Sequence, residues 1–344
     1  MKKIILLFSL LIGFGNALVQ AQNKTTVTGA PFLRIAADAR AAGMGDTGVA
    51  TSADVFSQQW NAAKYPFTEN KIGVGLSYTP YLTSLTNDMA LLNLNYYNKI
   101  NDRSTFAIGL RYFGMGETVF RTNENDPGMA VNPNELALDG SYALKLSNNF
   151  SMAVSGRYIR SDLKLQEVDA NGSAANTFAV DLSGFYQSNE ITFQSFQGVW
   201  RAGFNFSNLG PKLNYSNNSG AETVLPSNLK IGGGFDFIFD DENKLATSLE
   251  FNKSLAKGTN ALTTGLGLEY LYKNSFALRT GYFNDSDELG NLNFFSFGAG
   301  FAIKKLKFDL SYLASTSNHT SPLDNTLRFS MSFNFGDLAQ KTEN

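Results

Sequence analysis

The chain contains no cysteine, which excludes disulfides, thiolate metal sites and a cysteine nucleophile. Histidine is almost as scarce, with His319 standing alone in Ser317-Asn318-His319-Thr320. A serine triad needs a base, and a lone loop histidine reads as a solvated residue instead. No charge of one sign dominates, since 28 basic residues face 30 acidic ones and leave no basic field for nucleic acid. Prolines number only 8, and beyond the leader no apolar run reaches the about 20 residues that a membrane helix needs. The acidic stretches Asp240-Asp241-Glu242-Asn243 and Asn123-Glu124-Asn125-Asp126 read as solvated turns rather than calcium loops. An enzyme is therefore not expected, nor a cofactor, nor a metal.

What is present begins with a leader. Met1-Lys2-Lys3 is basic, Ile4 to Phe14 is apolar, and Val19-Gln20-Ala21 offers small residues for a signal peptidase. Residues 1–21 thus read as a cleavable signal peptide. Aromatics are plentiful, with 29 Phe and 14 Tyr. A water-soluble protein would need a very large core to hide them, whereas a membrane barrel presents them to lipid.

Residues 71–336 supply the pattern of such a barrel, in segments of about 10 residues that alternate with period 2 between turn residues. The first segment carries Ile72, Val74, Leu76 and Tyr78 on one face, and the eighth Leu229, Ile231, Phe235, Phe237 and Phe239. The last carries Leu327, Phe329, Met331, Phe333 and Phe335. About 14 segments can be counted, giving an all-β, transmembrane antiparallel β-barrel. Charges fall on the opposite face, among them Arg111, Asp139, Arg157, Asp181, Arg201, Glu250, Glu269, Arg279, Asp309 and Arg328. Asn93, Asn95, Ser155, Ser183, Ser296 and Ser311 join them as lumen-lining positions. Segregation of this kind has a cause, because an Arg or Lys on the lipid face at the midplane costs about 2–4 kcal/mol. Within the eighth segment Gly232-Gly233-Gly234 reads as room for barrel curvature.

Connector lengths alternate as a barrel requires. Linkers after even-numbered segments are short, except residues 187–197, and those after odd-numbered segments are long, notably 116–134 and 208–227. The long loops are expected to face outward. They hold Val119, Phe120, Met129 and Val131 in the first, and Leu213, Tyr215, Val224 and Leu225 in the second. So many apolar groups imply either a partner surface or a lid packed over the mouth. Residues 337–344 read as a polar tail.

Residues 22–70 do not alternate and read as a periplasmic or plug segment with two weak helical stretches. They carry the motif Asp38-Ala39-Arg40-Ala41-Ala42-Gly43-Met44-Gly45-Asp46-Thr47-Gly48-Val49-Ala50-Thr51-Ser52, followed by Trp60-Asn61-Ala62-Ala63-Lys64. This resembles the PorV family, FadL-like outer-membrane proteins of the Bacteroidetes type IX secretion system. Ala62 stands where FadL-like proteins place a proline in Asn-Pro-Ala. The resemblance implies an outer-membrane export component. Its partners would be a giant SprA-type translocon barrel, secreted proteins bearing type IX C-terminal domains, and a PorU-like sortase attachment complex. Outer-membrane lipid would surround it. The competing functional classes are a FadL-type transporter of hydrophobic small molecules and a general porin.

Overall fold

Among the described residues no helix is long and apolar enough to cross a membrane, and the computed structural model of this protein satisfies its backbone by closing a sheet on itself. It describes residues 28–337 apart from 122, 168, 218–221, 287–288, 290–291 and 318–321. The leader, His319 and the tail after residue 337 lie outside the described residues.

Fourteen long strands form the wall. They are β1 (Asn70–Pro80), β2 (Met89–Lys99), β3 (Ser104–Met115), β4 (Asn134–Lys145), β5 (Phe150–Asp162), β6 (Ala175–Gln187) and β7 (Gln197–Leu209). The second half comprises β8 (Asn228–Ile238), β9 (Asn243–Ser254), β10 (Leu262–Tyr272), β11 (Phe276–Asn284), β12 (Phe294–Ile303), β13 (Leu306–Ser315) and β14 (Leu327–Asp337). Each pairs antiparallel with its sequence neighbours, and β1 pairs with β14 from Asn70↔Asp337 to Tyr78↔Phe329, which closes the barrel. At 9–13 residues the strands match the length a tilted strand needs to cross a bilayer.

The observed register is the one that alternation implies. Leu76, Ile108, Leu138, Val154, Phe178, Leu278 and Phe329 point outward and are exposed, while Arg111, Asp139, Arg157, Arg201, Glu269 and Arg328 are buried inside. Phe235 is an instructive exception, lying on the outer face yet only 8% exposed. The long linker between β6 and β7 folds back over the wall, placing Phe193 and Phe196 with ring centroids 6.3 Å from Phe235. Trp200 covers the same ring at 4.5 Å. The one turn-side connector that breaks the short-linker rule therefore carries aromatic cover for the wall.

Before β1 the chain enters the lumen. Pro31–Arg34 and Ala62–Phe67 are 3-10 turns, and two single-turn helices, α1 (Ala39–Ala42) and α2 (Ser57–Trp60), lie between them. Nearly every residue from 36 to 66 is buried, with Ala36, Ala41, Ala42 and Trp60 packed on one another and Val55, Ala62, Ala63 and Tyr65 packed among wall residues. They are buried against the wall.

The register generates a prediction. Leu266→Arg and Phe297→Arg each place a cation on the lipid face, where both side chains are about half exposed, at a cost of roughly 2–4 kcal/mol. Each should reduce heat-modifiable, membrane-assembled barrel. Asn334→Arg, which points into a lumen cavity, should reduce it less. Equal loss in all three would refute the register. Ser296 would be a poor control despite facing the lumen, because it is fully buried against Gly45.

Candidate functional site

The motif at residues 38–52 is a set of attachments. Asp38 adopts an extended conformation and caps α1, its Oδ2 accepting from the Ala41 amide at 2.9 Å. Its Oδ1 accepts from Trp60 Nε1 at 2.7 Å, which ties the two helical turns together. Asn61 follows Trp60 and donates to the carbonyls of Val49 and of Gly184 on β6, both at 2.9 Å. Its Oδ1 accepts from the Ala63 amide at 3.0 Å, so the turn forms with Ala62 in place of proline.

Arg40 leaves α1 toward β10. It makes two contacts with the Glu269 carboxylate at 3.0 and 2.7 Å, and pairs with Asp54 at 2.7 Å. Glu269 also accepts from Arg279 Nε at 2.6 Å, and Arg279 pairs with Asp309 at 2.8 Å. A plug cation and a wall cation therefore share one buried carboxylate. Farther along, the amides of Gly48 and Val49 both donate to Glu250 Oε2 on β9, at 2.8 and 2.9 Å. Lys64 turns inward to donate to the Gly48 carbonyl at 2.8 Å. Burial pushes the Lys64 ammonium down to about 8. Burial, with the Asp54 charge added, raises the Asp38 carboxyl to about 6. Ionic groups in such surroundings hold the plug only while their partners remain.

Glycine decides how closely plug and wall approach. Gly45 has a left-handed φ of +66°, and a Cβ there would sit 2.5 Å from the Leu266 carbonyl oxygen. From the other side, a Cβ on Gly281 would lie 2.1 Å from the Gly45 nitrogen, and one on Gly267 2.6 Å from the Met44 oxygen. Gly43 meets Gly298 in the same way, and Gly203, Gly232 and Gly234 make room for Val49 and Ala50. Gly48 lies under the Trp60 ring, where a Cβ would come within 2.2 Å of the indole. The triple glycine of β8 thus does more than permit curvature, since two of its members receive the plug.

Among the described residues two spaces of the lumen stand out. A cavity of about 110 Å³ lies at the long-loop end, with Asp46 and Trp60 of the plug among its lining. One of about 380 Å³ lies at the short-turn end, lined by Arg40 and Asp54. The plug stands between them.

The apolar loop residues divide. Leu213, Tyr215 and Leu225 point inward and pack with Phe32, Phe113 and Ile159 over one side of the mouth. The Gly29 amide donates to the Val224 carbonyl at 2.9 Å, fastening that loop to the start of the plug. Val119 and Met129 face outward on a hairpin of Thr118–Phe120 with Met129–Val131, at 44% and 39% exposure. Phe120 is half-buried and Val131 buried. Sequence reasoning placed the wall partners Asn93, Arg111, Arg201, Glu250, Glu269 and Ser296 on the lumen face. It did not see that they receive the plug: Asn93 holds the Ala37 carbonyl, and Arg201 that of Ala50.

Two outcomes are expected from this attachment. Gly281→Val should dislodge the plug without opening the sheet, giving steady conductance in planar bilayers where the parent protein is silent. Glu269→Gln removes the counter-charge that Arg40 and Arg279 share, leaving each with one carboxylate, Asp54 and Asp309, and should lower the temperature at which heat-modifiability is lost. Silence in Gly281→Val with an assembled barrel would show that the plug is held without this contact.

A family model described as "Type IX secretion system protein PorV" matches residues 18–261, well over half of the chain. Among solved structures, the Pseudomonas putida toluene transporter TodX is similar at 13% identity and a TM-score of 0.59, over 87% of this chain and 98% of its own. The Ralstonia pickettii toluene transporter TbuX aligns over the same shares at 12% and 0.52. CymD, a monoaromatic hydrocarbon channel, does so at 13% and 0.54. Identities this low show a shared barrel fold and nothing about cargo. No curated protein sequence matches the chain. By its motif, by the plugged fourteen-stranded barrel and by the family match, the chain belongs to the PorV family of the type IX secretion system, FadL-like β-barrels of the outer membrane.

Proposed function

We propose that this protein is a non-enzymatic adaptor of type IX export. It binds secreted proteins by their C-terminal domains beside a giant SprA-type translocon barrel, and it delivers them to a surface attachment complex containing a PorU-like sortase. The observation that supports this reading most is the plug. A lumen filled by wall-bonded chain offers no route through the barrel, so the working surface lies on the loops or the outer wall. The hairpin bearing Val119 and Met129 is an outward apolar surface on the long-loop side, and we assign the cargo or translocon contact to it. The inward residues Leu213, Tyr215 and Leu225 act indirectly, by bracing the mouth that presents it.

A second reading, a FadL-type transporter of hydrophobic small molecules, draws support from the fold shared with toluene transporters. It requires the plug to move.

Val119→Asp combined with Met129→Asp should leave the barrel assembled and reduce secreted proteins co-purified from native membranes by about tenfold or more. Undiminished capture and export would remove the hairpin from the account. Loss of growth on hydrophobic substrates, with export intact, would favour the transporter instead.

A further inference from the structure

The strands that receive the plug on their inner face are hollowed on their outer one. Gly233, the middle residue of β8, points outward, and a Cβ there would meet nothing nearer than the Arg201 carbonyl oxygen at 3.8 Å. Its partner on β7 is only Ala202. From Gly233 a cross-strand row runs through Leu249, Leu266 and Tyr282 to Phe295. Beside that row stand the short side chains of Thr247 and Thr280, and an open groove of about 740 Å³ crosses β8 to β12. Aromatic pairs mark its two ends. Trp200 meets Phe235 at 4.5 Å between ring centroids, and Tyr282 meets Phe295 at 4.9 Å.

The Thr247 and Thr280 hydroxyls are already engaged, donating to the carbonyls of Phe235 and Ser296, each at 3.2 Å. Half-exposed Ile231, Leu249, Leu266, Leu268 and Phe295 supply most of the remaining lining. Recognition here is therefore a matter of shape and hydrocarbon.

We propose that the groove holds one acyl chain of a membrane phospholipid. Gly233 lies mid-strand, so the hydrocarbon layer covers the site. Lipid tails are as apolar as the wall, and packing alone selects the occupant. A floor of bare backbone beside a void forfeits dispersion contacts, which a flexible chain restores. The wall of another barrel is convex and would touch only the rims. The reach agrees as well. Four inter-strand spacings of about 4.8 Å give roughly 19 Å, enough for a chain that fills one leaflet's hydrocarbon, about 15 Å. A phospholipid can lay one of its two chains obliquely in the groove, whereas a glycolipid with several chains on one sugar head holds them parallel. Behind the same backbone, Gly232 and Gly234 meet Val49 and Ala50 of the plug, so the chain and the plug face each other through a single bare sheet.

The test uses the full barrel, delipidated in detergent, incubated with dipalmitoyl phosphatidylethanolamine and weighed intact by native mass spectrometry. Most parent barrels should retain one lipid after the detergent is stripped. Gly233→Leu should lower the retaining fraction about tenfold. Thr280→Leu narrows the groove from β11 and should lower it too, which serves if Gly233→Leu does not assemble. Gly140→Leu is the control, since Gly140 also faces outward with nothing within 4 Å of a Cβ but lies on β4, away from the groove; it should retain lipid as the parent does. No retained lipid in the parent, parent-level retention in the groove variants, or an equal loss in Gly140→Leu would each overturn the proposal. Preferential retention of lipopolysaccharide offered at the same concentration would overturn the phospholipid assignment.

Discussion

The structure depends on backbone meeting backbone inside a membrane barrel. Gly43 and Gly45 lie directly on Gly298, Gly281 and the β10 wall, at distances no side chain would permit. Everything else in the lumen follows from that approach. With the chain pressed so close, its amides reach Glu250 and Ser296, and Arg40 reaches Glu269. The buried wall charges then gain partners that a water-filled lumen would not have supplied. A barrel interior is polar because lipid lies outside it, and here the same polar face serves as the binding site for the protein's own N-terminal segment.

Proteins sharing the fold include transporters of toluene and other monoaromatics, so the wall does not dictate function. In this chain the division of labour is spatial. The plug and the inward loop residues around Phe32 pack over one side of the mouth, and on the adaptor reading the surfaces for recognition stand around it. Fixing the mouth lowers the ordering cost that a binding surface would otherwise carry.

Much of the wall was legible in the sequence because lipid and lumen impose a strict period of two. Charges such as Arg111, Asp139 and Arg328 pinned the face, and the connector lengths gave the direction of each strand. One weak helical stretch was legible in the alanine-rich residues 33–42, and in the structure it is confined to Ala39–Ala42, where Asp38 caps it. What escaped was every contact made across long separations. Glu269 and Glu250 could be placed on the lumen face, yet nothing local says that one receives Arg40 and the other the amides of Gly48 and Val49. Apolar loop residues posed the same difficulty: Leu213 and Val119 look alike in sequence, but one is inside and the other outside. Phe235 showed the converse, a lipid-facing position whose cover comes from Phe193 and Phe196 on a neighbouring linker.

On the adaptor reading the plug is a fixed part of the wall, and export proceeds without moving it. Thr47 and Ser248 bring their hydroxyl oxygens to 2.7 Å across the plug–wall contact, and a chain without cysteine allows an engineered pair to be read cleanly. A Thr47→Cys/Ser248→Cys protein, oxidised in cells, should cross-link near completely while export of secreted proteins continues at the parent level. A pair that does not cross-link, or export that stops on oxidation and returns on reduction, would contradict the account.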